Sequence, residues 1–242
     1  TLTNCTLSGT TASASSPYHC GGGVYCSSSS PTLTNCTISG NTATSGGGMY
    51  CTSTSNPTLT NCILWGDTPQ EIYVSSGTPV VTYCDVQRGY SGTGNINLDP
   101  LFVDPDGPDN DPATWQDNDY RLAAGSPCID AGNNAALPGG VTTDLDGYPR
   151  FVDEPATPDC QYVPGTCGTA PIVDMGAYEF QSLPLPGDMN CDHAVDATDL
   201  PLFVEALLDP AAFDIAHPTC LSVQADVGGD GLVNGLDVQA FV

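Results

Sequence analysis

Lysine is missing from all 242 residues, and arginine occurs only as Arg88, Arg121 and Arg150. Set against 28 acidic residues, this leaves a formal net charge of −25. Such a chain cannot lay a basic stripe along phosphates or settle on an anionic lipid surface, which excludes nucleic acid and acidic membranes as partners. No run of 18 apolar residues exists, so no segment is long enough to span a bilayer. Charged residues are only 13% of the chain, about half the usual share, and residues 1–66 contain none. No leader sequence is visible and the chain opens in mid-pattern at Thr1, so a mature or partial product is expected. Convincing helical spacing is lacking before about residue 195.

What is abundant is glycine (27), proline (21) and cysteine (12). Glycine and proline together stay below the share that signals disorder, and 40% hydrophobic residues suffice for a core. An even, high cysteine count points to an oxidising compartment: periplasm, cell surface or medium. Together with the acidic surface it predicts a secreted, self-repelling protein.

The first 86 residues repeat. Thr1–Gly9 (TLTNCTLSG) returns as Thr32–Gly40 (TLTNCTISG), as Thr58–Gly66 (TLTNCILWG), and more weakly as Pro79–Val86 (PVVTYCDV). Between copies lie Gly21–Cys26 (GGGVYC) and Gly46–Cys51 (GGGMYC). The copies are spaced by 31 (Thr1 to Thr32), 26 (Thr32 to Thr58) and 22 residues (Pro57 to Pro79), as coils with loops of different size would be. Within each copy the alternation is that of a strand, and it changes phase at Asn35-Cys36. A corner there explains the change, with asparagine tolerating the bend and stacking on its copy one coil away. The expected fold is mainly β: a right-handed parallel β-helix with rungs about 4.8 Å apart. Uncharged threonine and serine ladders suit it, because like charges at one ladder position would repel.

From Leu98 the composition shifts to Asn97–Asp104, an acidic stretch up to Asp119, then Tyr120–Gly132, Thr143–Arg150 and Val173–Phe180. Those four phrases resemble the C-terminal signature of bacterial secreted right-handed β-helix proteins of the choice-of-anchor type. The resemblance covers roughly residues 1–180. It implies irregular later coils, an acidic cap closing the helix, and a separate module attached afterwards; it implies no chemistry. A proline-rich linker is expected over 181–186 and a second domain over 187–242.

That second domain carries calcium-loop spacing, with oxygen ligands at positions 1, 3, 5, 9 and 12 and a backbone carbonyl at 7. Loop one offers Asp188, Asn190, Asp192, Ala194 (position 7), Asp196 and Asp199. Loop two offers Asp226, Asp230, Leu232 (position 7), Asn234 and Asp237; Gly228 at position 3 brings no side-chain oxygen, so this site is expected to be weaker. An apolar residue at position 8, Val195 or Val233, is expected to pack inward. Leu200, Phe203, Val204, Leu207 and Leu208 follow at helical spacing. The duplicated loop and helix resemble a type I dockerin. By that resemblance, Ala197, Thr198, Gly235 and Leu236 would meet a cohesin-like partner. His193, where a glycine would ease the turn, departs from the pattern.

The cysteines admit two readings. Cys5, Cys36 and Cys62 share one ladder, and Cys26 and Cys51 another. A Cα spacing of about 4.8 Å permits a bridge between coils, such as Cys26 to Cys51; buried free thiols fit as well. Cys160 with Cys167, and Cys191 with Cys220, are candidate local disulfides. Asn4 and Asn35 begin glycosylation sequons, but an asparagine ladder is the stronger expectation. The acidic run Asp104, Asp106, Asp109, Asp111, Asp117 and Asp119 reads as a solvated loop rather than another calcium site.

β-Helix folds include pectate lyases and polygalacturonases, whose chemistry needs carboxylates, a base or calcium on a strand face. The clearest coils carry none, His19, His193 and His217 are scattered, and Asp85, Arg88 and Arg121 suggest an ion pair. A non-catalytic structural protein is therefore expected, one that stacks head to tail with itself. The alternative is a dockerin-bearing glycan-binding or polysaccharide-degrading protein.

Overall fold

The structure is a computed structural model and describes residues 1–12, 20–109, 116–164, 168–181, 186–190, 195, 197–217, 220–229 and 231–238. The chain divides into two units, Thr1–Gln181 and Ser182–Val242.

The first unit winds its repeats into a parallel β-solenoid. Coil 1 holds β1 (Leu2–Ser8) and β2 (Val24–Ser27), and coil 2 holds β3 (Thr32–Ser39) and β4 (Met49–Thr52). Coil 3 holds β5 (Thr58–Thr60), β6 (Ile63–Trp65) and β7 (Ile72–Val74), and coil 4 holds β8 (Val80–Thr82) and β9 (Asp85–Val86). The copies pair in the register the repeat spacing demands: Leu2 with Leu33, Leu33 with Leu59, Leu59 with Val81. Cys26 pairs with Cys51 on the second sheet, β2-β4-β7. The connection between the two sheets takes 15 residues in coil 1, nine in coil 2 and six in coil 3. Shortening falls mainly there, and the rungs do not shift.

Side chains sort by rung. Leu33, Cys36, Ile38, Leu59, Cys62, Leu64, Val81 and Cys84 fill the interior, and Met49 and Cys51 meet them from the second sheet. Outside, Tyr25, Tyr50 and Tyr73 stack with ring centroids 5.6 and 5.3 Å apart. The corner residues Asn4, Asn35, Asn61 and Tyr83 all take the left-handed conformation, with φ of 50°, 52°, 54° and 50°. Asparagine reaches that region at little cost, and its turn is what changes the inward parity between Leu33 and Cys36.

At a second corner Asn41 accepts from Thr10 N and donates to the Leu7 carbonyl in coil 1. Asp67 of coil 3 accepts from Asn41 N at 2.7 Å and from its Nδ2 at 2.9 Å. An acid thus stacks on an amide and not on its own copy. Asp67 and Glu71 are both buried, and burial pushes both carboxyls up.

The rest of this unit leaves the regular coil pattern. β10 (Phe102–Asp104) and β11 (Asp119–Leu122) form an antiparallel pair. The signature phrases then run along the asparagine corner and touch every coil. Asn4 Nδ2 donates to the Thr143 carbonyl at 2.7 Å. Thr37 Oγ1 accepts from Ala177 N, Asn61 exchanges two hydrogen bonds with the backbone of Asn133, and Cys128 Sγ donates to Asp85. The reason is accounting: corner amides and carbonyls buried in the left-handed turn need partners, and this clasp supplies them.

The second unit packs Met189, Phe203, Ala206, Phe213 and Ala225 into a small core. Helix α1 (Leu200–Leu208) starts at Asp199 with proline in its first turn. Helix α2 (Pro210–Ala216) is capped by Asp209, whose side chain accepts from Ala212 N.

Candidate functional site

In the second unit the calcium-loop spacing becomes a folded closure. Asp199 at position 12 reaches back, and its Oδ1 accepts from Met189 N (2.7 Å) and Asn190 N (3.1 Å). Asp237 does the same in loop two, accepting from Gly228 N at 2.9 Å and Asn234 N at 2.9 Å. Those amides hold the Asp237 carboxyl below its usual range. Asp226 accepts from Gly231 N, and Asn234 from Leu236 N. Asp188, Asp199 and Asp237 are buried, in a unit without lysine or arginine. An all-oxygen donor set of buried carboxylates fits calcium. Asp192, Ala194, Asp196 and Asp230 lie outside the described residues.

Val233 packs against the small core as expected, but Val195 is exposed, so only loop two turns its position-8 side chain inward. Ala197, Thr198, Gly235 and Leu236 are all exposed. Of the helical residues, Phe203 is buried and Leu207 half-buried. Leu200, Val204 and Leu208 form an exposed apolar row four residues apart.

The cysteine alternatives separate. Cys5, Cys20, Cys26, Cys36, Cys51, Cys62, Cys84 and Cys128 are free thiols, so the coils are not bridged from Cys26 to Cys51. Thiols stacked in an apolar interior behave as small hydrophobes. Burial pushes the Cys62 thiol up, and the hydrogen bond that Cys36 donates to Cys62, together with burial, pushes Cys36 up. Cys160 and Cys220 are disulfide-bonded, while Cys167 and Cys191 lie outside the described residues. Neither sequon has a free amide in this fold: Asn4 donates to Thr143, and Asn35 is fully buried.

The three residues expected as an ion pair do not meet. Asp85 accepts from Leu98 N and Cys128 Sγ, and burial pushes it up to about 7. Arg88 donates to the Pro69 carbonyl. Arg121 pairs with Asp119 at 2.6 Å.

A polar centre that sequence reasoning missed lies under the clasp. Arg150 is fully buried, 3.6 Å from the Glu179 carboxylate, and donates to the carbonyls of Asp174 and Gly176. With the Asn35 amide oxygen turned toward it, the guanidinium also donates there from Nε at 2.7 Å. Asp144, Asp174 and Glu179 are buried around it and Asp130 is buried next to Asp174; all accept backbone amides: Glu154 N to Asp130, Tyr148 N to Asp144, Phe180 N to Asp174, Val152 N to Glu179. Burial and the neighbouring Asp174 push Asp130 up to about 8. Burial pushes Asp174 and Glu179 up as well, and lowers Arg150. The available signal was arithmetic: one of three cations sits inside a phrase holding two aspartates.

The first unit is therefore a parallel β-helix whose polar centre holds backbone in place. Residues 1–96 match the family described as right handed beta helix region. Comparison with curated proteins and with solved structures returned no match.

Proposed function

We propose that the chain is a non-catalytic extracellular structural protein, a β-helix scaffold of a bacterial cell surface or filamentous assembly with a calcium-stabilised C-terminal module. The observation that carries this reading is where the acids go. In the described solenoid, Asp67, Asp85, Asp130, Asp144, Asp174 and Glu179 are buried and accept backbone amides, while the exposed rungs present threonine, serine and stacked tyrosine. A lyase or glycosidase would need its carboxylates facing a glycan. Calcium in the tail would be held by Asp188, Asn190 and Asp199, and by Asp226, Leu232, Asn234 and Asp237, supplying charge balance that no basic side chain of that unit provides.

The test pairs two measurements. Incubation with uronate polymers and neutral glycans is expected to yield no cleavage products, and sedimentation velocity is expected to show assemblies that dissociate on calcium chelation. Cleavage that disappears in Asp85→Asn, or a strictly monomeric species with a disordered first coil, overturns the reading.

A second reading is favoured by one observation, the exposed row Leu200, Val204 and Leu208 beside Ala197 and Thr198. In it, the tail is a dockerin-like plug that attaches a glycan-binding or glycan-degrading β-helix to a cohesin-like scaffold. Calcium-dependent capture of a cohesin, lost in Val204→Asp, supports it; no capture by a panel of cohesins removes it.

A further inference from the structure

We propose that the first unit has a divalent-cation site of its own, built by Asp130, Asp153 and Asp159 and suited to calcium. One carboxylate oxygen from each residue comes within 4.8 Å of the other two. Three oxygens spread evenly around one calcium lie about 4.0–4.5 Å apart, given Ca–O distances of about 2.3–2.6 Å, so at most a small closing movement of the two exposed side chains lets one ion touch all three.

Proximity of acids alone would say little; what points to a ligand is Asp130. Its residue is fully buried, Oδ2 accepts from Glu154 N at 3.1 Å, and Oδ1 is buried with no hydrogen-bond partner. A buried carboxylate oxygen without a donor is costly unless something positive reaches it. No arginine pairs with it in the described residues: Arg150 engages Glu179, Arg121 engages Asp119, and Arg88 engages Pro69. Glu154 Oε2, on the residue after Asp153, is a second buried oxygen without a partner.

The loop that brings the other two acids is fastened at both ends to Asp130. Glu154 N binds its side chain, and Cys160 N binds its carbonyl at 2.9 Å. Asp130 N is in turn fixed by Asp174 Oδ1 at 2.7 Å. A turn from Thr157 N to the Glu154 carbonyl shortens the span, and Cys160 is disulfide-bonded. Asp153 and Asp159 are exposed, so the site has a polar mouth facing solvent and a buried floor. Its donors are all carboxylate oxygens, which favours calcium or magnesium over zinc; the open, solvent-facing side leaves room for the higher ligand number of the larger ion. This site belongs to a different unit from the tail loops and does not depend on them.

Equilibrium dialysis of the full chain against calcium tests the assignment, using two double variants and a control. Asp199→Asn with Asp237→Asn disables the tail loops; Asp153→Asn with Asp159→Asn alters only exposed side chains and leaves the solenoid core alone. The tail variant is expected to keep one calcium per chain, and the loop variant to bind one fewer than wild type. Calcium should also slow amide exchange at Glu154 and Cys160 in wild type and in the tail variant, and not in the loop variant. An exposed-acid control, Asp109→Asn, should bind as wild type. A loop variant with undiminished stoichiometry, or a tail variant that binds no calcium, overturns the proposal.

Discussion

Arg150 and Glu179 form an ion pair at 3.6 Å with both side chains withdrawn from solvent. Three more carboxyls are buried nearby, Asp144 and Asp174 close to the guanidinium and Asp130 next to Asp174. One cation among four acids is a large imbalance, and it holds because each acid also accepts backbone amides. The clasp is thus a piece of backbone folded around a polar nucleus, and it reaches the coils through Asn35.

Arg150→Met should destabilise the first unit by about 3–5 kcal/mol, the usual cost of removing one partner of a buried pair. Urea unfolding followed by tyrosine fluorescence measures it. A loss below about 1 kcal/mol would mean that the guanidinium is dispensable.

Asp85 gives a pH signature. Its carboxyl is pushed up to about 7 in the fold, against an ordinary value of 3.8, chiefly by burial. The native state therefore binds this proton more tightly than the unfolded chain does. Its contribution is complete below pH 3.8 and is lost as pH rises through about 7. Asp85→Asn should flatten the fall in melting temperature over that interval, and a slope identical to wild type would refute the assignment.

The thiols should report the solenoid's integrity. Cys5 and Cys20, half-exposed, should react first with a thiol reagent. Cys26, Cys36, Cys51, Cys62, Cys84 and Cys128 are buried and should react only on unfolding. Fast native labelling of Cys36 would contradict the stacked ladder.

In the tail, Asp199→Ala leaves the amides of Met189 and Asn190 without their acceptor. The expected cost is about 1–3 kcal/mol for each amide that stays buried. Loss of helical circular dichroism at a lower temperature, with the first unit's transition unchanged, is the readout. Chelation of calcium should act in the same direction.

Much of the solenoid was legible because it is local and repeated. Copies of one phrase 31, 26 and 22 residues apart became register partners, and a change of alternation at Asn35 became a left-handed corner. Spacing also singled out Asp199 and Asp237, as calcium ligands; their hydrogen bonds to amides of their own loops are an addition of the structure. The clasp left no such mark. The Asn4–Thr143 contact spans 139 residues and has no period, so nothing in the spacing announced this side support. The choice between disulfide and thiol at Cys26 and Cys51 also lay beyond spacing, because both fit one rung distance. Asp130 with Asp153 and Asp159 was hidden for another reason: two of those acids gain meaning only from an oxygen left bare by the folding of the third.

The connections between the two sheets take 15, nine and six residues while every rung stays aligned. One wall of the coil is therefore a tolerant seam, where the connection changes length while the stacked strands keep their register. Peptides spliced into that seam would be carried in single file along the axis, each at the height of its own coil. A lineage could dress and redress this column without rebuilding it.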